Sequence, residues 1–215
     1  MTKKRTHYRI GFDIGGTFTD FVILDSSSQT LLLHKALTTP NDPSYGALLG
    51  INELLKKAGL KLCDIEQIIH GTTLATNAII ERKGAILGFL STAGFGDILE
   101  MGTEQRYDIH DLFLKYPEPL ALRKHCLEIA ERIDCEGNVL IKIDLDQLRL
   151  QVQTLVNNGV EAIAICFVHS YANPQHERLA QDLIRREFPQ FPVSISSDVH
   201  PQMREYERSS TVAAN

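Results

Sequence analysis

The sequence predicts an α/β fold: a mixed sheet that begins with an antiparallel hairpin and continues into strands alternating with flanking helices. Two observations predict it. Tyr8 to Ile14 and Phe18 to Leu24 are both rich in aromatic and β-branched residues, and only Gly15-Gly16-Thr17 separates them, which suits two strands joined by a tight turn. From residue 43 onward, helical and strand-like patterns alternate, and alternation implies parallel strands covered by helices. Hydrophobic residues make up 43% of the 215 positions and charged residues 23%, an ordinary balance for a chain with a buried core.

The elements follow in order. A third strand is expected at Thr30 to Ala36, after the polar turn Ser26-Ser27-Ser28-Gln29. Asn41-Asp42-Pro43 reads as a helix start, Leu48, Ile51, Leu54 and Leu55 as its apolar stripe, and Gly59 after Lys56-Lys57 as its end. Ile65 to His70 is a strand that runs into Gly71-Thr72-Thr73 and a helix through Arg82, ended by Gly84. Ile86 to Leu90 is a buried strand. Residues 94–125, with Gly94, Gly96, Gly102, Pro117 and Pro119, read as an irregular stretch, and such lengths are usually functional. Cys126 to Ile133 and Val139 to Ile143 are expected to pair around Glu136-Gly137-Asn138. Asp144 caps a helix carrying Leu148, Val152, Leu155 and Val156, stopped by Gly159. Val160 to Val168 is a strand, Asn173-Pro174 opens a helix with Leu179, Leu183 and Ile184 inward, Pro192 to Ser196 is a last strand, and Met203 onward is helical.

Composition excludes several function classes. Net charge is −5, and Lys3-Lys4-Arg5 is too short to form a nucleic-acid-binding field. Cys63, Cys126, Cys135 and Cys166 show no C-x-x-C spacing, so zinc and redox motifs have no support, and free thiols favour a reducing compartment. The charged N-terminus is not followed by an apolar segment, and no apolar run approaches the ~20 residues of a membrane span. The expectation is a cytoplasmic protein with no membrane or nucleic-acid partner.

The Gly15-Gly16-Thr17 turn carries the chemistry. It joins strand to strand, unlike a Rossmann turn or a P-loop, and neither motif occurs here. Glycines let successive N–H groups approach an anion, Thr17 and Thr19 add hydroxyls, and Asp13 adds a carboxylate suited to Mg²⁺, directly or through water. A plain tight hairpin is the other reading of the same residues. A β-branched side chain at Gly16 is expected to block the N–H groups and to strain a glycine conformation. His70 to Thr73, where a strand meets a helix, would present N–H groups to an anion or carbonyl oxygen. His70 reads as an acid/base or substrate ligand, or as structural; Thr72 and Thr73 as ligands or caps; Asn77 as facing the same cleft or bonding locally. Glu100, Arg106, Tyr107 and Asp108 read as a substrate loop or as solvated surface. His169 and His176 read as capping or surface residues, and Glu205, Glu207 and Arg208 as a solvated helix face.

The element order resembles the ribonuclease-H-like lobe of actin-like ATPases. Several further stretches extend the likeness: His70-Gly71-Thr72-Thr73-Leu74-Ala75-Thr76-Asn77-Ala78, Glu81-Arg82-Lys83-Gly84-Ala85, Gly94-Phe95-Gly96-Asp97-Ile98-Leu99-Glu100, Pro117-Glu118-Pro119-Leu120, Glu131-Arg132-Ile133-Asp134, His169 to Glu177, and Arg204 to Thr211. With the Asp13–Asp20 hairpin, the chain resembles the N-terminal region of the hydantoinase A / 5-oxoprolinase family over roughly residues 8 to 215.

That resemblance implies an ATP- and Mg²⁺-dependent enzyme that activates a carbonyl of a small cyclic amide by phosphorylation for hydrolysis. It implies Asp13 as metal ligand and catalytic residue, Gly15, Gly16, Thr17 and Thr19 around ATP phosphates, His70 as a catalytic residue, and His70, Gly71, Thr72, Thr73 and Asn77 around substrate. Partners implied are the remaining hydantoinase A lobe and a B-type subunit or fused half. The ATP-binding part of a ketone carboxylase, a sugar-kinase-like phosphotransferase and a non-catalytic assembly module are the alternatives. Residues 8–200 are expected to form the N-terminal domain and 201–215 the start of the following one. No second Asp-x-Gly-Gly-Thr hairpin occurs after Asp20, so the chain reads as a truncated piece with negligible activity alone.

Overall fold

A computed structural model describes residues 8–215; the basic stretch Lys3-Lys4-Arg5 lies outside the described residues. The chain divides into two compact units, one ending at Lys83 and one spanning Gly84–Asn215.

The first unit is a four-stranded sheet with strand order β3-β2-β1-β4. Strands β1 (Tyr8–Ile14), β2 (Phe18–Asp25) and β3 (Thr30–Leu37) form an antiparallel meander, and β4 (Ile65–Thr72) lies parallel to β1. The antiparallel hairpin and its third strand form as the sequence predicts. Helix α1 (Pro43–Ala58) covers one face. Its ends form as their residues dictate. The Asp42 carboxylate accepts from the Ser44 hydroxyl, Tyr45 N–H and Ser44 N–H, which hold its carboxyl below the usual range, and Gly59 takes the left-handed conformation with φ 65°. The core under α1 is Ile10, Phe21, Ile23, Ile51, Leu54 and Leu55. The inward face of the helix also includes Gly46, Ala47 and Gly50, whereas Leu48 points to solvent. The expected stripe is therefore rotated, because small residues let the helix lie close to the Phe21 ring. Helix α2 (Leu74–Ile80) is short and ends before Arg82.

The second unit holds a separate parallel sheet, order β10-β9-β5-β6, from β5 (Leu87–Thr92), β6 (Cys126–Ile129), β9 (Ala162–Cys166) and β10 (Val193–Ile195). One continuous mixed sheet was the expectation from the alternating pattern. β5 instead has β9 and β6 on its two sides, because Phe89 and Leu90 are both fully buried and a strand buried on both faces belongs inside a sheet. Helices α4 (Leu145–Asn157) and α5 (Gln175–Glu187) close the main core around Leu148, Val152, Leu155, Leu183 and Ile184. Asp144 caps α4 through Asp146 N–H and Gln147 N–H, as its position in the sequence predicts. The predicted 126–133 strand breaks into β6 and β7 (Arg132–Ile133), which pairs with β8 (Val139–Ile141), because Glu131 turns inward at the break. Between β5 and β6 the chain is irregular apart from α3 (Ile98–Met101) and one 3₁₀ turn. Helix α6 (Ser196–Val199) is a single turn, and α7 (Glu205–Ala214) packs Val212 into the core of this unit. Among the described residues, no helix is long and apolar enough to cross a membrane.

All four cysteines are free; Cys63 and Cys135 are exposed, Cys126 and Cys166 buried. Burial pushes the Cys126 thiol up to about 11, so almost none of it is thiolate near neutral pH. Iodoacetamide at pH 8 should modify Cys63 and Cys135 and leave Cys126 intact, read by peptide mass. Labelling of Cys126 at the rate of Cys63 would contradict this packing.

Candidate functional site

The hairpin turn is built from hydrogen bonds beneath it. Gly15 N–H donates to Phe18 O at 3.0 Å, and a Cβ on Gly15 would come within 2.8 Å of that oxygen. Close approach therefore makes Gly15 a glycine. Neither Gly15 nor Gly16 adopts a positive φ, so the strained conformation expected at Gly16 is absent. Thr38 N–H donates to Thr17 O at 2.9 Å, and the Thr38 hydroxyl donates to Gly15 O at 2.9 Å. Thr19 is buried and its hydroxyl meets that of Thr38 at 2.9 Å. Since the Thr38 proton is spent on Gly15, Thr19 is the donor of that pair. The Gly15 N–H and the Thr19 hydroxyl are thus engaged within the turn. Among the described residues, the N–H groups of Gly16 and Thr17 make no hydrogen bond, and both residues are exposed.

Asp13 stands at the end of β1, opposite Asp20 on β2 and Gly71 on β4. Its carboxylate is exposed, and a Cβ on Gly71 would sit 3.3 Å from Oδ1. Glycine at 71 therefore keeps one side of the carboxylate clear. The neighbouring position on each strand points the other way. The His70 ring stacks on Phe12 with centroids 4.7 Å apart, and Phe12 stacks on Phe21, which belongs to the core under α1. Asp13 and His70 consequently lie on opposite faces of the sheet, and the structure does not bring these two expected catalytic residues together.

The turn is instead met by α2. A Cβ on Gly16 would lie 3.2 Å from Asn77 Nδ2, so the Asn77 amide sits against the turn. Thr73 N–H donates to Ile14 O at 3.2 Å, and Thr72 Oγ1 accepts from Leu74 N–H at 3.2 Å. The first amides of α2, expected to await a ligand, are partly satisfied by the strand and by Thr72.

The second unit contains two buried polar groups, which take in His176 and Arg208, two residues that sequence reading placed at the surface. Glu131 accepts from the Thr92 hydroxyl and faces His176 Nδ1 at 2.6 Å, with both side chains buried. Glu177 accepts from Phe167 N–H at 2.9 Å, Ser196 Oγ at 2.6 Å and Ser197 N–H at 2.8 Å. Ser196 Oγ lies 3.0 Å from Ser170 Oγ, which accepts from Arg208 Nη1 at 2.6 Å. Arg208 is 0% exposed, donates also to Phe167 O, and lies over the Tyr171 ring. Its expected place on a solvated face fails because the guanidinium completes this chain of two hydroxyls between opposite charges. In the irregular stretch, Glu100 and Tyr107 line a cavity of about 380 Å³ with Met101, Tyr116 and Tyr206. Arg106 donates to Asp111 O, and Asp108 accepts from His110 N–H.

Residues 9–188 match the model of the hydantoinase/oxoprolinase N-terminal region. The chain belongs to this family. It is 34% identical over its whole length to 31% of caprolactamase subunit alpha from Pseudomonas jessenii. The crystal structure of the ATP-dependent caprolactamase from that organism superposes with a TM-score of 0.80 over 97% of this chain and 31% of that one, at 34% identity. An acetone carboxylase in its nucleotide-free form superposes with a TM-score of 0.85 at 27% identity, over 96% of this chain and 31% of its own. The 5-oxoprolinase of Saccharomyces cerevisiae is 32% identical over 99% of this chain and 19% of its length. The chain thus spans about a third or less of the family members it matches.

Sequence reading missed Thr38, the residue that ties the turn to β3. The available signal was its place at the end of the third strand, a polar residue closing a hydrophobic run. Thr19→Val should lower stability by about 1 kcal/mol, the scale of one neutral hydrogen bond, and leave the Gly16 and Thr17 amides in place. Urea unfolding of the chain tests this; a loss of several kcal/mol would give Thr19 a larger role than supporting Thr38.

Proposed function

We propose that Asp13 and the Gly15–Thr17 turn hold the phosphates of ATP in a larger polypeptide that activates a lactam or imide carbonyl for hydrolysis. The observation that carries this is the pair of free N–H groups at Gly16 and Thr17 beside an exposed carboxylate that Gly71 leaves uncovered. Two free amides on adjacent residues suit an oxyanion. Among the described residues, no group of three or more His, Cys, Asp or Glu side chains could enclose a metal. A single carboxylate fits Mg²⁺, which keeps most of its waters and takes other oxygens from phosphates. Bound there, Mg²⁺ would neutralise charge on the phosphate oxygens. Asn77, against the turn, is the side chain best placed to meet the same ligand or the substrate next to it, with Gly71, Thr72 and Thr73 alongside. His70, on the other face of the sheet, is assigned no contact with that phosphate.

The ATP dependence of caprolactamase supports this reading, and the similarity to acetone carboxylase favours carboxylation of an activated ketone as the second. Both need the rest of the polypeptide, and a B-type partner completes either reaction. One turn alone leaves phosphates in water, where each contact is weak. Titrating the 215-residue chain with Mg²⁺–ATP, followed by amide NMR, should shift Gly16, Thr17, Gly71 and Asn77 without measurable ATP turnover. Undisturbed amides at Gly16 and Thr17 would refute the site. Sustained turnover would refute the need for more chain.

A further inference from the structure

The N-terminal sheet has one covered face and one bare one. Helix α1 packs on the face that carries Ile10, Phe21, Ile23 and Ala36. The register puts Phe18, Leu31, Leu33, Leu37 and Ile69 on the opposite face. Their exposures are 44%, 63%, 71%, 68% and 55%. Leu31, Leu33 and Ile69, with the half-buried Val22 and Leu24 between them, form the larger stretch, and Phe18 and Leu37 lie beyond the Asp20–Lys35 pair; together they offer on the order of 500 Å² of apolar surface, in the range of patches that are often functional. Charge also lies on this face: Asp20 pairs with Lys35 at 3.0 Å in the row between Phe18–Leu37 and Leu33, Asp13 stands in that same row beside Gly71, and the exposed Arg9 lies at the Leu24–Leu31 end.

We infer that this outer face is the seat of an amphipathic helix from the polypeptide that follows the N-terminal region in full-length family members. Three observations select that occupant. The matched region is N-terminal, and relatives of about three times this length carry further chain to supply a cover. The patch runs across adjacent strands, a span of ~15 Å that one helix of ~10 Å diameter with its side chains can cover, as α1 does on the inner face. The Asp13 carboxylate, beside the Asp20–Lys35 pair, favours a basic residue where the helix crosses that row. Asp13 projects from this same face, so the docked helix would wall the carboxylate on one side. That last point rests on the proposed phosphate site; the docking surface does not.

The test is thiol accessibility at Leu33→Cys in two settings: the 215-residue chain, and a chimera in which this chain replaces the matched part of the caprolactamase alpha subunit. Peptide mass separates position 33 from the natural cysteines, and Leu150→Cys, on the exposed side of α4, is the control. Leu33→Cys should react freely in the chain alone and at least about tenfold more slowly in the chimera, while Leu150→Cys reacts equally in both. Equal reactivity at position 33 overturns the inference. So does protection in the isolated chain that grows with its concentration, which would make the occupant a second copy. Should the chimera not fold, the isolated chain still decides: it should bind the dye ANS, and Leu31→Asp with Leu33→Asp should abolish the signal while circular dichroism is retained. Absence of ANS binding also overturns the inference. Mg²⁺–ATP shifts at Gly16 and Thr17 are independent of all these readings, so the docking surface and the phosphate site can fail separately.

Discussion

Glu177→Ala should destabilise the second unit by about 3–5 kcal/mol, the cost of removing one partner from a buried charged network. Glu177 is 0% exposed and receives three donors, Phe167 N–H, Ser196 Oγ and Ser197 N–H. Alanine leaves all three without an acceptor and fills none of the space. It also leaves the buried Arg208 guanidinium without its counter-charge, since the two are linked through Ser196 and Ser170. Glu205, 4.0 Å from Arg208 and partly exposed, cannot replace it. Glu177→Gln keeps the shape and one acceptor oxygen and should cost less. Urea unfolding of the two variants measures the difference. A midpoint for Glu177→Ala near that of wild type would show that water or rearrangement satisfies these donors.

Asp13→Ala should reduce ATP-dependent turnover of the chimera by about a thousandfold or more, the scale seen when a charge-neutralising group is lost from a phosphoryl-transfer site. The fold should survive. The Asp13 side chain is exposed, and the turn is held by Gly15, Thr17, Thr19 and Thr38 without it. Circular dichroism and the melting temperature should therefore stay near wild type while turnover disappears. Asp13→Asn, which keeps the size and loses the charge, should behave like alanine if the carboxylate acts through a metal. Turnover near wild type in Asp13→Ala at saturating Mg²⁺ would remove Asp13 from the site.

What could be read from the sequence was whatever depends on neighbours along the chain. Asp42, Gly59 and Asp144 end or begin helices where they were expected to, because capping involves only the next few residues. The hairpin and its third strand follow from alternation and a short turn. What required the fold was pairing at a distance. The division of the strands between two sheets depends on which neighbours β5 finds, and its own residues say only that both faces are buried. The side of the sheet to which His70 turns depends on register with Phe12. His176 and Arg208 look like surface residues in a linear reading, since nothing local reveals that each meets a partner 38 to 45 positions away. At the proposed site, Asp13 and the glycines were legible as a motif, but the spending of Gly15 N–H and the Thr19 hydroxyl on the turn itself was not.

The Phe21 ring lies directly where a Cβ on Gly50 would have to go. The same ring stacks between Phe12 and His34, so it has no room to step aside. Positions 21 and 50 therefore constitute one inherited choice. A lineage that acquires even alanine at 50 must shrink residue 21 first or at once, and one that shrinks residue 21 opens a hole that only a larger residue at 50 refills. Helix-strengthening replacement of glycine, a usual route to a hardier protein, is closed at this position unless both change together.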